Sequence, residues 1–384
     1  MKEKLPVNID VLKWARTSLS LSPEDVAQRL SKDKHEIESW EAGSTSPTYA
    51  QLEKLAHEIY KRPVAVFFFP SVPEEETPKT DFRTLPDTLV VELPPEIIKL
   101  YRKAKLFQIY LDELHESAKP VGISMLDTFE LNQNSQVAPI TKAIRKTLGI
   151  SIDEQSKWRS TETAFKNWRV ALEANGIFVF KDAFRNNDYS GFCLYDEKYP
   201  LIFVNNSMPD SRQIFTLFHE LGHLFYRSGG IDFRSRETVR LLKGYFRNIE
   251  VSCNRFANEF LVPQEELDLF GRKISESHFK ELAERFSVSR EVILRNYFDR
   301  GLVDANYYEQ MVAKWAEQAE NKRSPGGNAY YTKKAYLRDN YVNLAFSKYY
   351  QNKITLDALS EYLTVKPKYI STFEHYALGV GMSR

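Results

Sequence analysis

Hydrophobic positions recur at helical spacing along most of the chain. In "PTYAQLEKLAHEIYKR" (47–62), Leu52, Leu55, Ala56 and Ile59 fall on one helical face. Upstream, "SPEDVAQRL" (22–30) opens with Ser22 as a cap, Pro23 at the first helical position and Asp25 in the first turn. "KHEIESWEAG" (34–43) ends at Gly43, a residue suited to a helix C-terminus. Helix, three-residue turn and helix together predict a helix-turn-helix bundle over residues 1–70. Residues 71–95 are rich in Pro, Glu and Thr and read as a linker. Helical patterns fill 96–118 and 138–175, followed by three β-rich runs bounded by turn formers: "GIFVFK" (176–181), "GFCLYD" (191–196) and "LIFVN" (201–205). Paired-helix cadences return at 279–298 and 354–374, separated by "NKRSPGGN" (321–328), a second linker. Pairs of this kind are common packing units, so they are read as core rather than as further DNA readers. The expected fold is α+β and mostly helical. It comprises the N-terminal bundle, a central domain over 96–320 with a small sheet, and a helical C-terminal domain over 329–384.

One helical stretch carries chemistry. "FTLFHELGHLFY" (215–226) places His219 and His223 four residues apart, one turn up the same face. Their imidazoles can converge on one ion, while Glu220 falls beside it as a proton acceptor. That is the arrangement zinc-assisted hydrolysis needs. The alternative is a core helix with incidental histidines. Ile214, Phe218, Leu221 and Phe225 form an apolar stripe that leaves the histidines at its edge, which favours the metal.

A catalytic zinc takes a third protein ligand and keeps one open position. In "NIEVSCNRFANEFLVP" (248–263), Ile249, Cys253, Phe256 and Phe260 form the buried stripe of a second helix, and Glu250 lies next to it. A carboxylate there is costly unless paired or bound to a cation. Cys253 is a rival ligand, but its place in the stripe suits a small core residue. The reading therefore takes His219, His223 and Glu250 as ligands and Glu220 as general base. Tyr226, Tyr245 and His278 are candidates for further transition-state stabilisation, and the sequence does not rank them.

"QIFTLFHELGHLF" followed by "EVSCNRFANEFLVP", after a small sheet, resembles the ImmA/IrrE family of metallopeptidases. The family pairs an H-E-x-x-H helix with a glutamate ligand in an "E-x-x-x-N-x-F-A" setting, matched by Glu250, Asn254, Phe256 and Ala257. Ser252 stands where the family often has a glutamate, a departure outside the ligand set. The N-terminal bundle, "DFRTLP" (81–86) and the 279–302 helical pair resemble the long members fused to an XRE-type DNA-binding domain. The resemblance implies a zincin-like peptidase domain with zinc as cofactor and a regulatory protein as substrate, a repressor or a toxin–antitoxin partner. It also implies that Lys34, His35 and Ser39 face operator DNA from a recognition helix capped by Asp33.

Charge weakens the DNA reading. The formal net charge is +1, and residues 1–70 hold ten Lys/Arg against ten Asp/Glu. Affinity for DNA comes mainly from neutralising phosphates, and Glu36, Glu38 and Glu41 on the recognition helix would repel them. Docking onto a protein is the alternative use of this bundle. Residues 329–384, with eight Lys/Arg, four Asp/Glu and nine tyrosines, suit an acidic partner or nucleic acid, or more simply packing. The N-terminus lacks a signal-like apolar run, no segment is long enough to span a bilayer, and two cysteines make no disulfide framework. A cytoplasmic protein is expected. The competing function is a non-catalytic regulator or antitoxin that binds a toxin or an operator with the zincin body as scaffold. The presence of Glu220, which a scaffold does not need, favours catalysis.

Overall fold

The computed structural model describes residues 5–19, 21–60, 62–74, 81–82, 93–118, 125–132, 134–233, 242, 244–320 and 329–379. The chain divides into two compact units, residues 1–103 and 104–384. Most of the segment read as a linker at 71–95, and all of 321–328, lies outside the described residues. Phe82, inside the first of these, is buried with its ring edge-on to Tyr101.

In the first unit, α1 (Ile9–Thr17), α2 (Pro23–Leu30), α3 (Lys34–Glu41) and α4 (Tyr49–Lys54) surround Val11, Val26, Ile37, Trp40 and Leu52. The expected caps form. Ser22 and Asp25 make a reciprocal capping box, and Asp33 accepts from the His35 amide. The helix expected to run to residue 62 instead widens into a π-helical turn over Leu55–Tyr60. Glu41, read as facing DNA, turns inward. Its carboxylate takes a two-point ion pair from Arg16 at 2.6 and 2.8 Å, and Arg16 also donates to the Leu21 carbonyl.

In the second unit, α5 (Pro95–Leu114, shared across the boundary), α6 (Met125–Thr128), α7 (Val137–Leu148), α8 (Ile152–Trp158) and α9 (Thr161–Ala174) precede the sheet. The helical pattern at 138–175 is thus three helices, because Gly149 and Arg159 adopt left-handed conformations that end two of them. The strands are β1 (Phe178–Asp182), β2 (Tyr189–Leu194) and β3 (Leu201–Asn205), near the expected runs. A fourth, β4 (Gly230–Phe233), follows α10 (Asp210–Phe225) and was not anticipated. The sheet order is β1-β3-β2-β4, with β1 parallel to β3 and the other pairs antiparallel. Helices α11 (Gly244–Leu261), α12 (Gln264–Asp268), α13 (Glu276–Phe286), α14 (Arg290–Asp299) and α15 (Ala305–Glu320) follow. The last helices are α16 (Ala329–Leu337), α17 (Asp339–Tyr350), α18 (Leu356–Leu363) and α19 (Ile370–Leu378). Among the described residues no helix is long and apolar enough to cross a membrane.

Helix α10 is buried on every face from Gln213 to Phe225, not along one stripe. It lies between β2, α9 and α11. Gly191 permits the contact with β2, since a Cβ there would come within 2.5 Å of Thr216 and 2.8 Å of the Phe203 carbonyl. On the opposite side Trp168 meets Phe218 and Trp158 edge-on, and Phe218 stacks on Phe260. Each such buried side chain contributes roughly 1.5–3 kcal/mol. The C-terminal carbonyls of α11 are satisfied by side chains: Arg145 donates to Phe260 and Gln155 donates to Leu261. The C-terminal helices are tied in by Arg169, which donates to Val179 on β1 and to Ala335 and Tyr336 on α16. Tyr341 and Tyr362 are buried there, while Tyr331 and Tyr350 are exposed, so the tyrosine-rich segment is in good part packing.

Candidate metal centre

Two close approaches create the site. Gly222 faces Cys253, where an added Cβ would stand 3.1–3.2 Å from the cysteine, so α10 and α11 cross tightly one turn from Glu250. Gly230 at the start of β4 lies against the His223 ring, and a Cβ there would fall 2.4 Å from its Cγ. No ordinary side chain fits at that point. The sequence signal for this packing was the pair of glycines after the helix, which pattern alone reads only as a turn.

The result brings His219, His223 and Glu250 together, all at 2% exposure or less. The two Nε2 atoms are 3.2 Å apart. Glu250 Oε2 lies 3.3 Å from His219 Nε2, and Oε1 lies 3.1 Å from His223 Nε2. Ligand atoms held about 2.0–2.1 Å from a tetrahedral ion stand about 3.3–3.4 Å from one another, so these separations fit the face of such a shell. This is the one group of three or more His, Cys, Asp or Glu ligand atoms gathered closely enough for a metal among the described residues. Burial pushes the Glu250 carboxyl up, but both imidazoles outweigh it and hold the group well below its ordinary range. Burial lowers His219, and Glu250 with Asp232 outweighs that and raises it. Two imidazole nitrogens and an ionised carboxylate, facing inward with no other side-chain partner among the described residues, make a cavity that a divalent cation fits.

Glu220 is fully buried, and the Cys193 thiol is the one weak donor that faces its carboxylate among the described residues. Burial, aided by Asp232 and Glu250, pushes it up to about 8 against a lowering by His223. Cys193 on β2 lies close by, its thiol pushed up by burial and by Glu220. Cys253 is buried in the α11 stripe and is not part of the cluster.

A cleft opens beside the cluster, walled by Met208, Arg212, Phe215, His219, Glu250 and Asn254. His223 and Glu220 lie behind this wall, and Tyr226, Tyr245 and His278 do not line it. Sequence reasoning missed an ion-paired part of this wall. Arg212 makes a two-point pair with Asp232 at 2.8 Å and donates to Ser190, while Thr216 donates to Asp232. Asp232 sits on the unanticipated β4, so the pairing had no visible partner in the sequence.

The residues expected to face DNA are elsewhere, in the first unit. Lys34 is 3.5 Å from Glu38 and 3.9 Å from Glu24, His35 is 3.2 Å from Glu38, and Ser39 bonds to Thr45. Lys32 pairs with Glu36 on the same surface.

Residues 172–297 match the family model of the IrrE N-terminal-like domain, peptidase family M78. The matched segment holds the whole sheet, both site helices and the four site residues. A comparison with curated proteins gives no match.

Proposed function

We propose that the chain is a zinc-dependent endopeptidase acting on a regulatory protein, a repressor or a toxin–antitoxin partner, with residues 1–70 coupling that cleavage to transcriptional control. The observation that carries the reading is the buried His219–His223–Glu250 convergence, with Glu220 alongside, inside a segment that matches a peptidase family. Two imidazoles and one carboxylate are a donor set suited to zinc with an open position. A zinc ion held there would supply Lewis acidity and an activated water.

Glu220 would take a proton from the attacking water at its carboxylate and return it to the leaving amine as the carbon–nitrogen bond breaks. Burial pushes the Glu220 carboxyl up to about 8, and a cation beside it would draw it down. His219 and Glu250 line the cleft, so the scissile carbonyl would approach from their side.

The test is cleavage of the neighbouring gene's product by the zinc-loaded chain and by Glu220→Gln. Zinc retention with hydrolysis reduced about a hundredfold or more supports the role of general base. Equal cleavage by both overturns it. The second reading, a non-catalytic regulator or antitoxin, draws on the complete burial of Glu220 behind the cleft wall, and gains if neither protein cuts. For residues 1–70 we favour docking onto a protein over reading an operator, because Lys34 and His35 are already met by acids of the same surface.

A further inference from the structure

Helix α11 presents one side to the cleft, exposed at Arg247, Val251 and Arg255, partly exposed at Asn254 and buried at Asn258. Arg247, Val251, Asn254, Arg255 and Asn258 all line it, at the spacing of one helical side. Arg247 and Arg255 are exposed, and neither makes an ion pair or side-chain hydrogen bond among the described residues. Val251 between them is 46% exposed. They bracket Glu250, the one site residue on this helix. Arg159 lines the same cleft and is also unpaired.

The cleft's acids are mostly spoken for. Asp232 is held by Arg212 and Thr216, Asp299 by Arg295, and Glu284 by Lys280. Glu291 accepts from Tyr308. Glu259 receives the Gln264 amide and is raised chiefly by burial, with Arg255 drawing it down. Glu309 lines the cleft from α15, not from α11. Among the described residues, the wall beside the candidate metal centre is thus left with Arg247 and Arg159 without an acidic partner and Arg255 facing only the half-buried Glu259, around an apolar spot and two amides. Amides satisfy a peptide backbone, and the guanidinium groups complement carboxylates.

We propose that this face of α11 binds the substrate as an extended peptide carrying acidic residues on both sides of the scissile bond. The inference rests on the peptidase reading and gives its substrate class. Eight residues of helix separate Arg247 from Arg255 by about 12 Å along the axis. An extended chain covers that distance in about three to four residues. The acidic side chains are therefore expected three or four positions apart, with the bond to be cut between them.

The test uses the full chain with zinc added, as wild type and as Glu220→Gln to prevent turnover. Fluorescence anisotropy reads the binding of two labelled ten-residue peptides that differ only in two glutamates, four positions apart, replaced by glutamines. The acidic peptide is expected to bind about three- to tenfold more tightly at low salt, and the gap to shrink as salt screens it. Arg247→Gln/Arg255→Gln should abolish the preference, and Arg247→Glu/Arg255→Glu should reverse it. Both positions are exposed, so circular dichroism should show an unchanged fold. Equal binding of the two peptides, or a preference that survives the double variant, overturns the inference. So does a ten-nucleotide single strand that displaces the acidic peptide and binds more tightly through the same arginines. Cleavage by wild type without acidic preference sinks this inference alone. An arginine-dependent preference without any cleavage overturns the peptidase reading and, with it, the placement of a scissile bond between the two acids, leaving only acidic-peptide binding by α11.

Discussion

The junction of α10 and α11 and the surface of α3 each gather histidine with glutamate, yet they imply different things. At the junction, His219, His223 and Glu250 are buried, and their inward-facing atoms meet only one another. Burying a carboxylate costs several kcal/mol unless a cation or donors meet it, so the arrangement is intelligible as a site built around a missing positive charge. On α3, Lys34, His35, Glu36 and Glu38 reach solvent, and Lys34, His35 and the preceding Lys32 each have an acid within 4 Å. Exposed pairs of this kind are worth roughly 0.3–0.5 kcal/mol and need no ligand to explain them. Burial, not residue type, separates a site from a solvated face.

The comparison breaks most visibly at Glu220. Glu220→Gln is expected to lower peptide hydrolysis about a hundredfold or more while zinc stays bound, measured by turnover beside elemental analysis. Gly230→Ala comes next. The added methyl would meet the His223 ring at 2.4 Å, so zinc affinity should fall about tenfold or more, as when a ligand's orientation is disturbed. Competition with a chelator of known affinity reads this, and unchanged affinity would show that β4 is not needed to place the ring.

A pH series sharpens the contrast. Without metal, Glu250 is held below its ordinary 4.5 and His219 above its ordinary 6.5. A depressed carboxyl stabilises the fold above about pH 4.5 and loses that contribution as the pH falls. A raised imidazole stabilises it below about pH 6.5 and loses that contribution as the pH rises through the folded value. From these two groups the metal-free chain should melt highest between about pH 4.5 and 6.5, with Glu220, pushed up to about 8, lowering stability as the pH rises through that window. The increment from added zinc should grow above about 6.5 as His219 gives up its proton. Melts with zinc or chelator across that range check this, and an increment flat with pH contradicts it. The smallest effect belongs to α3. Lys34→Ala with His35→Ala should shift stability by no more than about 0.5 kcal/mol in a denaturant melt. In gel shifts against the chain's own upstream region it should leave DNA retention unchanged. A loss of retention by a few kcal/mol would instead restore the operator reading, since a good base contact is worth about 1–3 kcal/mol.

Where sequence reasoning reached the site, it did so through local periodicity. The i, i+4 spacing of His219 and His223 and the place of Glu250 beside the Ile249–Cys253–Phe256–Phe260 stripe are properties of single helices. Helix caps at Ser22 and Asp33 were legible for the same reason. What stayed hidden depends on contacts between distant segments. Glu41 turns inward because Arg16, 25 residues earlier, meets it. Arg212 is fixed by Asp232 on a four-residue strand too short to show a period. The all-round burial of α10 follows from Gly191 and Gly222 letting a strand and a helix come close.

The most direct measurement is X-ray absorption at the zinc edge on the purified full chain, with elemental analysis of the same sample. The expected result is one zinc per chain with nitrogen and oxygen ligands at about 2.0–2.1 Å, two of them imidazoles, and loss of that signature in His223→Ala. A sulfur shell at about 2.3 Å, which would place Cys193 or Cys253 on the metal, would contradict it, as would a chain that takes up no zinc.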